Sequence, residues 1–115
     1  MPELPVLDYK DLLDRIGGED DFARELLSEF VGNLSVEVEE LKAVLESGTL
    51  EDIVHKAHTL KGTAANLSAK ALSEAAKAIK EAGRNSDLET ARGGISRLEV
   101  EAEKLKETFA SMDPA

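Results

Sequence analysis

The sequence predicts an all-α fold, an antiparallel up-and-down four-helix bundle with a short N-terminal helix covering one end. Three observations predict it. Leu, Ala, Glu and Lys dominate the 115 residues, aromatics make up only 3%, and the three prolines stand at positions 2, 5 and 114, so the strongest helix breaker is absent from the interior. Apolar residues recur three and four apart along most of the chain, with no alternating stretch of the kind a half-buried strand requires. Glycines at 17–18, 48 and 83 cut that pattern into lengths that favour a compact bundle over an extended coiled coil. The length suits one domain, residues 1–115, with a single core; residues 1–7 and 113–115 are expected to be irregular.

Asp8 can cap a short leading helix that runs to about Ile16 and stops at Gly17-Gly18. From Asp20 or Asp21, the apolar series Phe22, Leu26, Phe30, Leu34, Val38, Leu41 and Leu45 marks one long amphipathic helix closed by Ser47-Gly48. Asn33 and Ser35, weak helix formers, are expected to bend it without ending it. Thr49 with Asp52 resembles a capping box and opens a third helix, with Leu50, Ile53, Ala57, Leu60 and Ala64 inward. Ser68 is expected to cap a fourth helix, whose seam is Leu72, Ala76 and Ile79 and which ends before Gly83. Ser86 with Glu89 forms a second capping-box pattern. It starts a last, highly regular helix along Leu88, Ala91, Ile95, Leu98, Ala102, Leu105, Phe109 and Met112, weakened by Gly93-Gly94.

The formal net charge of −10 lies entirely before His58: residues 1–57 carry 15 acidic and 5 basic side chains, and residues 58–115 carry nine of each. Such a surface repels phosphate backbones, and the basic residues form no dense cluster, so nucleic-acid binding is not expected. The absence of cysteine removes disulfides and thiol catalysis and fits a reducing compartment. With no secretory-signal pattern and no apolar run long enough to cross a bilayer, the expectation is a monomer in the cytoplasm without membrane insertion. No internal repeat or low-complexity segment is present.

Both histidines fall within residues 55–68, HKAHTLKGTAANLS. On a helical wheel with His58 at zero, Ile53, Leu60 and Ala64 lie at about 200–240° and Ala57 at about 260°, forming the buried stripe. Lys61 at about 300° and Gly62 at about 40° flank His58 on the outward face. The imidazole should therefore be accessible, with a cation beside it. Glycine inside a helix costs roughly 1 kcal/mol against alanine, so Gly62 points to a need for bare backbone next to His58. His55, also outward, makes an i,i+3 pair with His58 but has no evident third metal ligand, so it is expected to be a surface residue. There is no Gly-rich phosphate loop, hence no expected ATP site.

The stretch Ala57-His58-Thr59-Leu60-Lys61-Gly62-Thr63-Ala64-Ala65-Asn66-Leu67 resembles the signature of histidine-containing phosphotransfer (HPt) domains of multistep two-component phosphorelays. The resemblance implies a four-helix bundle with the phosphorylatable histidine exposed on a central helix. It implies further that His58 is the phospho-acceptor, Lys61 contacts the phosphoryl group, and Gly62 admits the partner. The implied partners are response-regulator receiver domains, with a hybrid histidine kinase as a further candidate. No cofactor is expected on this chain, since Mg²⁺ would sit in the receiver, and no kinase activity of its own is expected.

Lys80, His55 and Asn66 are candidates for supporting positions around His58. Lys80 stands where family members often carry an acidic or amide residue facing the histidine. It can serve as a second phosphate-neighbouring cation or point to solvent, and the solvent reading is preferred because lysine heads usually stay in water. Glycine is often found where Ser68 stands. Leu12, Leu13 and Ile16 are candidates for receiver docking. Two alternatives remain open: a helical adaptor that binds a receiver or kinase partner without turnover, and the phospho-accepting domain of a chemotaxis-type histidine kinase.

Overall fold

A computed structural model describes residues 3–112; the expected irregular residues 1–2 and 113–115 lie outside the described range. Five helices follow in order: α1 (Tyr9–Arg15), α2 (Asp20–Ser47), α3 (Leu50–Asn66), α4 (Lys70–Arg84) and α5 (Leu88–Ala110). No strand occurs among the described residues, and residues 3–7 are irregular as expected. Helices α2 to α5 form a closed ring of neighbours, α3 on α4, α4 on α5, α5 on α2 and α2 on α3, while α1 packs on α2. At about 1.5 Å per residue the 28 residues of α2 span about 42 Å, close to the 44 Å long dimension of the molecule.

One apolar cluster runs through the ring, from Leu12 through Leu27, Leu34 and Leu41 to Ile53, Leu60, Leu72, Ile79, Leu98 and Leu105. The seam of α2 differs at its start from the expected one. Ala23 and Leu27 are buried, whereas Phe22 is 47% exposed and Leu26 is half-buried. A ladder of strict fours drifts about 40° per step on a 3.6-residue helix, and the buried seam corrects the drift by moving one residue on. Helix α2 is continuous through Asn33 and Ser35.

The two serines expected to cap α4 and α5 do something else. Ser68 and Ser86 both have left-handed backbones, with φ of 59° and 58°, and each follows the C-cap of the preceding helix, Leu67 and Asn85. Ser68 N–H donates to Ala65 O at 3.0 Å and Ala69 N–H to Ala64 O at 2.9 Å; Ser86 and Asp87 repeat the pair on Gly83 O at 3.1 Å and Ala82 O at 2.9 Å. That double bond pattern is a Schellman stop, which satisfies orphan carbonyls at a helix end. The cap of α5 is the next residue, Asp87, whose carboxylate accepts from Thr90 N–H at 3.1 Å.

Helix α4 has no side-chain cap on Ala69. Instead the N-terminal segment supplies an acceptor, because Ala71 N–H donates to Pro5 O at 3.0 Å. The same segment is tied down by Asp8 N–H to Ser68 O at 2.9 Å, by Lys70 Nζ to Asp8 at 3.0 Å, and by Ser68 Oγ to Asp11 at 2.7 Å. These bonds hold α1 at the end of the bundle where α3 gives way to α4.

Nor does Gly83 end α4, which continues to Arg84. A Cβ on Gly83 would come within 2.9 Å of Val54 Cγ2, and one on Gly94 within 2.8 Å of Ile79 Cγ1. Both glycines are close-packing points of α4, against α3 and α5 respectively. Gly93 has open space where its Cβ would be.

Candidate functional site

Helix α3 starts with the expected capping box. Asp52 N–H donates to Thr49 Oγ1 at 3.1 Å, and Thr49 N–H to the Asp52 carboxylate at 3.3 Å, satisfying a first-turn N–H together with the cap residue's own N–H. The helix then buries Ile53, Ala57, Leu60 and Ala64. Burying that stripe fixes the rotation of the helix, which leaves His55, His58 and Asn66 exposed and Lys61 and Gly62 half-buried. Thr59 and Thr63 turn their hydroxyls back onto His55 O and Thr59 O, both at 3.1 Å. Ser73 Oγ of α4 donates to Lys61 O at 3.0 Å, pinning the two helices at the lysine.

Gly62 has no atom within 4 Å of where a Cβ would stand. It is therefore not a packing contact within this chain, in contrast to Gly83 and Gly94. The bare backbone faces outward beside His58.

His58 opens into a shallow groove of about 560 Å³ between the first half of α3 and the end of α4, which it shares with Glu51, Asp52, Val54, His55, Gly83 and Arg84. Sequence reading missed Arg84. Its signal lay only in the three-dimensional neighbourhood, since nothing in the residues around it marks it. Asn66 is turned elsewhere, into a second groove of about 450 Å³ formed with Ile16, Leu26, Phe30, Thr63 and Leu67. Leu12 is fully buried and Leu13 and Ile16 are half-buried, so Leu12 is not available for docking. No group of three or more His, Cys, Asp or Glu side chains able to hold a metal ion occurs among the described residues.

Lys80 does not point to solvent. It is only 7% exposed, because α4 is covered by α3 on one side and α5 on the other and its many small residues let both neighbours approach. Burial, then the cations of Lys61 and Arg84, hold its ammonium below the ordinary lysine range.

Residues 25–108 match the family model of the Hpt domain. The chain belongs to the Hpt domain family. The fold agrees: the crystal structure of the histidine-containing phosphotransfer protein ZmHP2 from maize superimposes with a TM-score of 0.80, at 19% sequence identity, covering 93% of this chain and 82% of that one. No curated protein sequence matches the chain. Hpt domains carry phosphoryl groups and are not kinases, and membership supports a phosphotransfer role in two-component signalling, with receiver or kinase domains as partners. Among the described residues no helix is long and apolar enough to cross a membrane.

Proposed function

We propose that His58 accepts a phosphoryl group from the aspartyl phosphate of one receiver domain and passes it, reversibly, to the aspartate of another. The observation that carries this reading is the outward triplet on α3: an exposed imidazole, a lysine one turn on, and a glycine with open space above its backbone. In the transfer, an unprotonated imidazole nitrogen attacks phosphorus, a P–N bond forms, and the acyl P–O bond breaks to release the receiver's carboxylate. Such a transfer is mostly positioning and charge neutralisation. Lys61 supplies one cation, while Mg²⁺ and the acidic pocket belong to the receiver. The chain itself brings neither a cofactor nor a kinase site, and on this reading it works as a cytoplasmic monomer.

Receiver docking covers Gly62 and extends over the groove of Ile16, Leu26 and Phe30. The experiment is incubation with a phosphorylated receiver and Mg²⁺. Acid-labile, base-stable label should appear on the chain, disappear in His58→Gln, and persist in His55→Gln. A His58→Gln chain that labels as well as the parent refutes the assignment, and a chain that binds receivers but never labels is an adaptor.

A further inference from the structure

We infer that the cavity between the N-terminal segment and α5 is a second binding site, and that it takes a free α-amino acid with an apolar side chain. The cavity shares no residue with the groove of His58, and the inference does not depend on the phosphotransfer reading.

The cavity measures about 210 Å³, below the range of drug-sized pockets and suited to a ligand of a single residue. Glu3, Leu4 and Val6 of the N-terminal segment line it together with Ala71 of α4 and with Arg97, Glu101 and Lys104 of α5. Its wall is held in place by backbone: Ala71 N–H donates to Pro5 O at 3.0 Å, which fixes the segment carrying Leu4 and Val6 to the start of α4.

The argument for a ligand begins with Glu101. Its side chain is only 12% exposed, and its Oε2 is buried with no hydrogen-bond donor. The other oxygen, Oε1, is 3.7 Å from Lys104 Nζ. A buried acceptor without a donor is costly, and an N–H group delivered to it removes that cost. Arg97, one turn earlier on α5, has no ion-pair partner among the described residues. An acid four residues after a base is the less favourable order for a pair on a helix. The guanidinium is thereby left for a carboxylate from outside, which it can hold with two N–H groups.

The charges of the lining select the class of ligand. A simple anion meets Glu3 and Glu101, and a metal cation meets Arg97 and Lys104; no metal-holding group of His, Cys, Asp or Glu occurs among the described residues. A molecule with an ammonium and a carboxylate on one carbon answers both sides, the ammonium donating to Glu101 Oε2 and the carboxylate accepting from Arg97. Leu4 and Val6 supply apolar surface for its side chain. A Glu101 carboxylate buried only by packing predicts no response to such a molecule.

The test is a titration of the full ¹⁵N-labelled chain with L-leucine, followed by amide shifts. Saturable shifts should be confined to the N-terminal segment, the start of α4 and the middle of α5, with a Kd of about 1 mM for so small a ligand. L-leucinamide lacks the carboxylate and N-acetyl-L-leucine lacks the ammonium. Each should bind roughly tenfold or more weakly, the worth of one charge-assisted contact. Arg97→Met and Glu101→Gln should weaken L-leucine by a similar factor, and His58→Gln should bind it like the parent. No saturable shift with L-leucine overturns the site. Equal binding of the amide or the acetylated acid by the parent overturns the zwitterion reading without recourse to any variant. Binding unchanged in both Arg97→Met and Glu101→Gln, or lost in His58→Gln, overturns the assignment to this cavity.

Discussion

Three glycines in helix interiors should respond to the same substitution with different signs. Glycine in a helix costs roughly 1 kcal/mol against alanine, so Gly→Ala is stabilising by about that amount wherever the added methyl has room. Gly62 and Gly93 have room, with no atom within 4 Å of the new Cβ. Gly94 does not: its Cβ would sit 2.8 Å from Cγ1 and 3.6 Å from Cδ1 of Ile79, a side chain with 0% exposure and a stiff, branched Cβ. Overpacking of a closed core costs about 1–3 kcal/mol, which outweighs the propensity gain and leaves Gly94→Ala less stable by about 1 kcal/mol. For a chain of this size 1 kcal/mol moves the midpoint of thermal unfolding by about 3–5 °C. Calorimetry or circular dichroism should therefore find Gly62→Ala and Gly93→Ala above the parent and Gly94→Ala below it.

The functional half of the prediction separates Gly62 from Gly93. Gly62→Gln places a side chain on the open face beside His58, so phosphoryl exchange with a receiver should fall at least tenfold, from loss of close approach, while the bundle is no less stable. Gly93→Gln should leave exchange at the parental rate. A Gly62→Ala chain that melts below the parent would refute the open-space argument, and parental exchange in Gly62→Gln would refute the role in access.

Ser68 carries two opposed effects, a left-handed backbone that disfavours a side chain by roughly 1–2 kcal/mol and a 2.7 Å hydrogen bond from its hydroxyl to Asp11. Ser68→Ala keeps the strain and loses the bond, and should cost about 1–2 kcal/mol in chemical denaturation; Ser68→Gly loses both and should be near neutral. Acid should loosen the N-terminal segment before the bundle. The hydrogen bond from Lys70 holds Asp8 below the ordinary aspartate range, and the bond from Ser68, then that from Arg15, does the same for Asp11. A depressed carboxylate stabilises the folded state above its ordinary value of 3.8, and that contribution is lost as pH falls through the lower folded value. Tyr9 is the single tyrosine of a chain without tryptophan and donates to Asp20, so its fluorescence should change below pH 4 ahead of the helical circular dichroism signal. Coincident transitions would count against a separate strap.

Element order was legible because glycine stops and apolar spacing are properties of the local chain. The misassigned ends have a local cause as well. Ser68 and Ser86 belong to the set of good N-caps, and each precedes a helix, but the geometry that decides their role is the Schellman pair with the carbonyls of the helix behind them. A serine between two helices satisfies the pattern of a start whether or not it serves as one. The start of the α2 seam failed differently. Phe22 continues the spacing of four back from Leu26, which is what assigned it to the seam, whereas the face covered by the rest of the fold takes the small Ala23 with Leu27 and leaves the ring of Phe22 exposed.

At the site, His58, Lys61 and Gly62 were legible because all three lie within two turns of one helix, where the wheel gives relative direction without knowledge of any neighbour. Lys80 and Arg84 were not, and the reason is the number of neighbours their helix has. A helix with one covered stripe sends its lysines to water, and the solvent reading of Lys80 assumes such a helix. Helix α4 is instead wedged between α3 and α5, burying Ala71, Leu72, Ala75, Ala76, Ile79, Ala82 and Gly83. That set is too broad for a single stripe, and its small members were the available signal: residues with so little side chain are useful on a helix surface only where another backbone comes close. A lysine on such a helix is covered by its neighbours, as the 7% exposure of Lys80 shows. Here the seam is the one between α3 and α4, where Lys61 and Arg84 are the cations that bear on Lys80, so the alanines and glycine of α4, which carry no chemistry, determine how deeply that lysine is buried.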